Sequence, residues 1–238
     1  MKRLSAFLLG FTLVAAPTAA RAQSHVYLLN DSFADLFGGP SLVADGGTIA
    51  SNGYTFGTNQ GLSLTGAIAP GSSYSLVMRS EYFANNTWGT CWLKMVDFKN
   101  LANDNGYYNC FGQAYVIPGG SGGTPYSNNV MATTVLTRDA TTRMFTAYVN
   151  GAQALTVSDA AGNDDFTSNI ARFFEDDAVS RRLENAPGRV DYIAVYDRAL
   201  SSGEVADLTP VTATPEPASL IMLATGLLGL AVSRRRHR

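Results

Sequence analysis

From His25 onward, apolar and polar positions alternate in short runs, each closed by Gly, Asn, Asp or Ser. The runs are rich in β-branched and aromatic residues, the texture of half-buried strands. Val26-Tyr27-Leu28-Leu29 opens the series, and Asp45-Gly46-Gly47 and Asn52-Gly53 bracket Thr48-Ile49-Ala50 as a small strand. Glycine reaches φ > 0 at no steric cost, which makes these dipeptides turns. Strands are expected over 54–56 and 61–65, with longer ones over 74–83 and 90–98. After a polar loop at Asn103-Asp104-Asn105-Gly106, residues 107–117 read as one returning partner strand, and 118–129 as a Gly/Ser/Pro-rich loop. The runs 130–136, 143–149 and 152–157 follow, the last two joined by a tight turn at Asn150-Gly151. A strand ending in Phe173-Phe174 leads into Glu175-Asp176-Asp177, and the run 188–197 is apolar on both faces, as a fully covered strand is. Ser201 and Glu204, three apart, form a capping box for a short helix over 202–208. About a dozen short strands and one helix predict an all-β fold, with two antiparallel sheets packed as a sandwich.

The two ends break this pattern. Lys2 and Arg3, an apolar stretch over 4–16, and Ala20-Arg21-Ala22 describe a secretory signal peptide over 1–22, cleaved after Ala22. At the other end stand Pro215-Glu216-Pro217, an apolar run over 218–232, and Arg234-Arg235-Arg236-His237-Arg238. Clustered arginines stay on the cytoplasmic side of a membrane, which places the body outside. The apolar run is shorter than the ~20 residues of a permanent span, so a removable anchor is expected. The formal net charge of −2 hides a split between ends and body: residues 23–209 carry ten Lys and Arg against eighteen Asp and Glu, a net −8. An acidic body excludes nucleic acid as a partner, since phosphate binding needs a cationic surface.

Candidate chemistry is sparse. The only body histidine is His25, which rules out histidine-based triads and zinc clusters. Cys91 and Cys110, the only cysteines, are a disulfide pair or two buried thiols; an exported protein favours the bond. Tyr107, Tyr108, Phe111, Tyr115 and Tyr126 flank the two long loops as a surface on which sugars could stack, while Trp88 and Trp92 are expected inside. Asp176 and Asp177 are candidate calcium ligands, with Asn163-Asp164-Asp165 or Asn103-Asp104-Asn105 as further oxygen donors. The same residues are also ordinary turn formers.

Two resemblances sharpen these expectations. Pro215-Glu216-Pro217, the apolar run and Arg234 to Arg236 resemble the PEP-CTERM sorting signal of Gram-negative bacteria. That resemblance implies export through the inner membrane, transient anchoring by 218–232, processing by an exosortase, and a final place on the cell surface or in a matrix of exopolysaccharide and biofilm. Tyr148-Val149-Asn150-Gly151, Phe173-Phe174-Glu175-Asp176-Asp177 and the run from Gly188 through Asp197-Arg198-Ala199-Leu200-Ser201 resemble the laminin-G-like branch of the concanavalin A-like jelly rolls. This implies a sandwich over 23–209 followed by a sorting segment over 210–238, with Tyr192, Val195 and Tyr196 in the inter-sheet core, Leu200 at its edge, and one calcium at the rim. Some relatives of that fold are glycoside hydrolases with three carboxylates at alternate positions of one strand. Here Glu175 and Asp177 are followed by Val179 and Arg181, so the third is missing and no catalytic residue is assigned. The expectation is a non-enzymatic exported module that binds glycan or another surface protein. The alternatives are a polysaccharide-active glycoside hydrolase and a purely structural surface protein.

Overall fold

The computed structural model describes residues 24–84 and 91–208. The signal peptide with Ala20 and Ala22, Trp88, and the sorting segment with Pro215, Glu216, Pro217, Arg234, Arg235 and Arg236 lie outside the described residues. The chain forms β1 (His25–Tyr27), β2 (Val43–Asp45), β3 (Thr48–Ala50), β4 (Gly53–Phe56), β5 (Gly61–Thr65), β6 (Tyr74–Tyr82), β7 (Trp92–Asp97) and β8 (Gly106–Cys110). It continues through β9 (Gln113–Ile117), β10 (Gly120–Ser121), β11 (Ala132–Asp139), β12 (Met144–Val149), β13 (Ala152–Ser158), β14 (Ile170–Phe173), β15 (Gly188–Tyr196) and α1 (Ser202–Ala206). Two antiparallel sheets result. An eight-stranded sheet has the order β13-β12-β11-β6-β15-β4-β3, with β1 also paired to β15, and a seven-stranded sheet has the order β10-β9-β8-β7-β14-β5-β2.

The inward-facing residues of both sheets make one core. Tyr54, Phe56, Leu76, Met78, Leu136, Phe145 and Val195 meet Leu62, Leu64, Leu93, Val96, Tyr107, Val116 and Phe173. Phe174 stacks on Phe56 at 4.3 Å between ring centroids and ties the end of β14 to the opposite sheet. A second apolar cluster lies on the outer side of the eight-stranded sheet, where α1 lays Val205 over Val77, Val135, Tyr148, Tyr192, Tyr196 and Leu200. The expected capping box is present: Ser201 Oγ accepts from Glu204 N–H, and the Glu204 carboxylate accepts from Ser201 N–H at 2.9 Å.

Three local expectations are corrected. The single strand over 107–117 is two, β8 and β9, because Phe111 (φ 49°) and Gly112 (φ 86°) form a tight reversal between them. Tyr192 and Tyr196 leave the inter-sheet core for the α1 side. The register of β15 against β6 slips between Val190 and Tyr192, and this bulge breaks the two-residue alternation, so Val190 and Tyr192 face opposite sides. β10, at one edge of the seven-stranded sheet, is a strand within the segment 118–129 read as loop.

Candidate functional site

Register decides what the seven-stranded sheet shows to the outside. Trp92 lies opposite Cys110, and Lys94 opposite Tyr108. On the other side of β8, Cys110 pairs with Gln113 and Tyr108 with Tyr115. Paired residues share a face, and Leu93, Tyr107, Ala114 and Val116 are in the core, so Trp92, Lys94, Tyr108, Cys110, Gln113 and Tyr115 point outward. Half-buried Trp92 and Tyr115 meet edge to face at 4.9 Å, with Tyr108 5.8 Å from Trp92 behind them. Tyr115 donates its hydroxyl to Gln113 Oε1 at 2.7 Å, which fixes the ring. A disulfide joins Cys91 to Cys110 at the end of this face, with Cα atoms 4.6 Å apart.

Next to the aromatic pair sits a buried charge cluster that pattern reading did not find. The segment from Phe174 to Pro187 folds against β7: Phe174 N–H donates to the Met95 carbonyl at 3.1 Å, and Lys94 N–H to the Glu184 carbonyl at 2.9 Å. Beneath it, the Lys94 ammonium is fully buried. It donates to Asp177 Oδ2, lies 3.3 Å from Asp97 Oδ2, 3.6 Å from Asp176 Oδ1 and 3.7 Å from Asp104 Oδ1, and faces the Tyr108 ring at 5.2 Å. Backbone N–H groups of Val179 (2.7 Å) and Ser180 (3.2 Å) hold Asp177 Oδ1. Asp176 Oδ2 accepts from Ser180 Oγ at 2.6 Å and from Glu184 N–H at 2.9 Å, while its Oδ1 is buried with no donor. Asp104 accepts the Tyr108 hydroxyl at 2.6 Å, and its side chain is 39% exposed. Burial, with the Asp104 and Asp176 charges added, pushes Glu184 up to about 7 against the pull of Lys94. Desolvation alone would lower the Lys94 pKa. The hydrogen bond to Asp177 and the charges of Asp97, Asp177 and Asp176 outweigh it and leave the pKa raised.

Asp176 and Asp177, the candidate calcium ligands, face a side-chain ammonium in this structure, at the position a cation would take. The other acidic loops are tied down by neighbouring polar side chains, although Asp164 Oδ1 is buried without a partner. Asn105 bonds Asn163, Lys99 Nζ donates to the carbonyls of Gly162 (2.7 Å) and Asp165 (2.9 Å), and Arg138 Nε donates to Asp159 Oδ2 at 2.6 Å. Among the described residues, no group of three His, Cys, Asp or Glu is placed to hold a metal. Glu175 and Asp177 do not act as a pair on an open cleft. Both are buried, Asp177 on Lys94 and Glu175 on Arg172 Nη1 at 3.1 Å, and burial pushes Glu175 up to about 7 against the Arg172 charge.

The predicted aromatic surface is mostly interior. Tyr107 and Tyr108 are fully buried, and the Tyr126 hydroxyl closes a chain with Tyr107 (2.9 Å) and Thr134 (2.9 Å). Phe111 is 64% exposed at its turn, and Tyr115 is half-exposed. Trp92, expected inside, belongs to the surface instead. Alternation from Leu93 would have placed it there, and the lone Lys94 among the apolar residues of its strand, three before Asp97, was the available signal for the buried cluster.

The fold defines a class: an all-β, two-sheet sandwich. Comparison adds an address, because the family model described as the PEP-CTERM protein-sorting motif matches residues 213–236, the mark of an exported protein sorted by an exosortase. No curated protein matches the chain in sequence. Solved structures share the sandwich at low identity. Domain 4 of AbnA, a GH43 extracellular arabinanase from Geobacillus stearothermophilus in complex with arabinotriose, is 16% identical with a TM-score of 0.56, and the match covers 79% of this chain and 98% of that one. Trypanosoma rangeli sialidase in complex with sialic acid is 17% identical with a TM-score of 0.56 over 73% of this chain, which spans only 30% of the sialidase. The binding domain of botulinum neurotoxin serotype D is 10% identical with a TM-score of 0.57, covering 78% of this chain and 51% of that one. Among the described residues, no helix is long and apolar enough to cross a membrane.

Proposed function

We propose that this is an exported, non-catalytic glycan-binding module, a sandwich of the laminin-G-like kind over 23–209. It is delivered to the cell surface or matrix by its C-terminal sorting segment. The observation that carries the reading is the part-exposed Trp92–Tyr115 pair on the outer face of the seven-stranded sheet, backed by Tyr108, whose hydroxyl holds the part-exposed Asp104 carboxylate. A sugar presents C–H groups on one face and hydroxyls at its edge. The rings take the first, and Asp104 and Gln113 the second. The fold shared with an arabinanase domain bound to arabinotriose supports the choice of ligand class. No catalytic step is assigned, since Asp177 is engaged by the buried Lys94 and Glu175 by the part-buried Arg172.

The test is a glycan array, followed by titration of the best ligand with the secreted protein and with Trp92→Ala and Tyr115→Ala. Each substitution is expected to weaken binding about tenfold, or ~1.4 kcal/mol, with the unfolding midpoint of the protein little changed. Retention of no glycan, or equal affinity in all three proteins, would count against the reading.

A further inference from the structure

The Lys94 cluster has an arrangement that a salt bridge alone does not require. One ammonium is enclosed with Asp97, Asp176 and Asp177, all four side chains shut off from solvent. Three carboxylates against one cation leave uncompensated negative charge at low dielectric. Each carboxylate is held differently. Asp177 points Oδ2 at the amine while two backbone N–H groups, of Val179 and Ser180, fix Oδ1. Those two donors sit where an oxyanion would form if the carbon between the oxygens were attacked. Asp176 Oδ1 is buried with no hydrogen-bond donor and lies 3.6 Å from the amine, so a side-chain shift of about half an ångström brings it within reach of a proton.

We propose that Lys94 and Asp177 form an intramolecular amide, a self-made covalent cross-link between β7 and the segment that follows β14. Asp176 Oδ1 takes a proton from the ammonium, and the freed Nζ attacks Asp177 Cγ. The developing oxyanion on Oδ1 is held by the Val179 and Ser180 N–H groups. The proton on Asp176 and a second one from Nζ pass to Oδ2, the Cγ–Oδ2 bond breaks, and water leaves. The balance is one ammonium and one carboxylate converted to one secondary amide and one water, with no oxidant and no co-reactant. The product removes two buried charges at once, and the face of Tyr108 and the overlying segment keep bulk water from reversing the step. Asp97 is the reserve acid: burial raises its pKa despite the N–H groups of Leu101 and Lys99 and the charge of Lys94.

The experiment is intact-mass spectrometry of the secreted protein, followed by peptide mapping. The expected result is a mass one water below that of the processed, disulfide-bonded chain, with trypsin unable to cut after Lys94 and a branched peptide joining Lys94 to Asp177. Lys94→Arg should restore the water. A full mass with Lys94 recovered as a free amine would overturn the proposal. So would a lost water that maps elsewhere, such as a cyclic imide at Asp45-Gly46. Because the wild-type protein alone decides the question, a variant that fails to fold does not blunt the test.

Discussion

Arg138→Met tests the claim that internal cations hold the acidic loops together. Arg138 is 6% exposed, and its guanidinium donates from Nε to Asp159 Oδ2 at 2.6 Å and from Nη1 to the Ser72 carbonyl at 2.9 Å, with Asp165 Oδ1 at 3.8 Å. Asp159 is itself buried and accepts the Asp164 N–H at 3.1 Å, so the carboxylate organises the loop that carries it. Methionine keeps the apolar stem and deletes the charge. Breaking a buried pair from one side costs about 3–5 kcal/mol, because the remaining carboxylate has no compensation. Urea unfolding of wild type and variant at pH 7.5 should show this difference. Arg138→Met with Asp159→Asn should recover most of the neutral-pH loss. A loss below about 1 kcal/mol at pH 7.5, or no recovery in the double variant, would refute the assignment.

Two further outcomes follow. Asp164, Glu175 and Glu184 are each pushed up to about 7 by burial, so the folded protein holds protons that the unfolded chain releases above the ordinary carboxylate range. Their contribution is full below that range and is lost as pH rises through 7. Stability should therefore fall between pH 5.5 and 8 by roughly 2 kcal/mol for each group that stays protonated, several kcal/mol in all at most, and a flat or rising urea midpoint would contradict this. Replacing Cys91 and Cys110 together by serine opens a bridge of sequence separation 19 and should cost roughly 3 kcal/mol by loop entropy, read as a lower urea midpoint; a loss under about 1 kcal/mol would show the loop is already ordered without the bond.

Much of the architecture is legible in short-range chemistry. Asn150-Gly151 marks its hairpin because both residues take positive φ, 52° and 81°, and the Ser201–Glu204 box marks α1 because each residue satisfies an N–H of the other's backbone. The misreadings occur where a local rule meets a tertiary decision. Phe111 accepts φ 49° although bulky residues disfavour it, which hid the turn between β8 and β9. The slip after Val190 is set by pairing with β6, more than a hundred residues earlier, and cannot be read from the alternation of β15 itself. The buried cluster was hidden for the same reason. Lys94 and Asp177 are 83 residues apart, and an acidic triplet looks the same in sequence whether it meets a metal, water or a lysine.

The position of α1 also bears on how the module is displayed. The helix covers the outer side of the eight-stranded sheet, and β1 pairs into that same sheet, so the described chain both enters and leaves on one side of the sandwich. A tether starting after Leu208 begins on that side. The Trp92–Tyr115 face is on the other side, beyond both sheets and a core about 10 Å thick. A sandwich held by its C-terminal end at a cell boundary would thus turn the aromatic face away from its attachment, toward whatever polymer surrounds the cell.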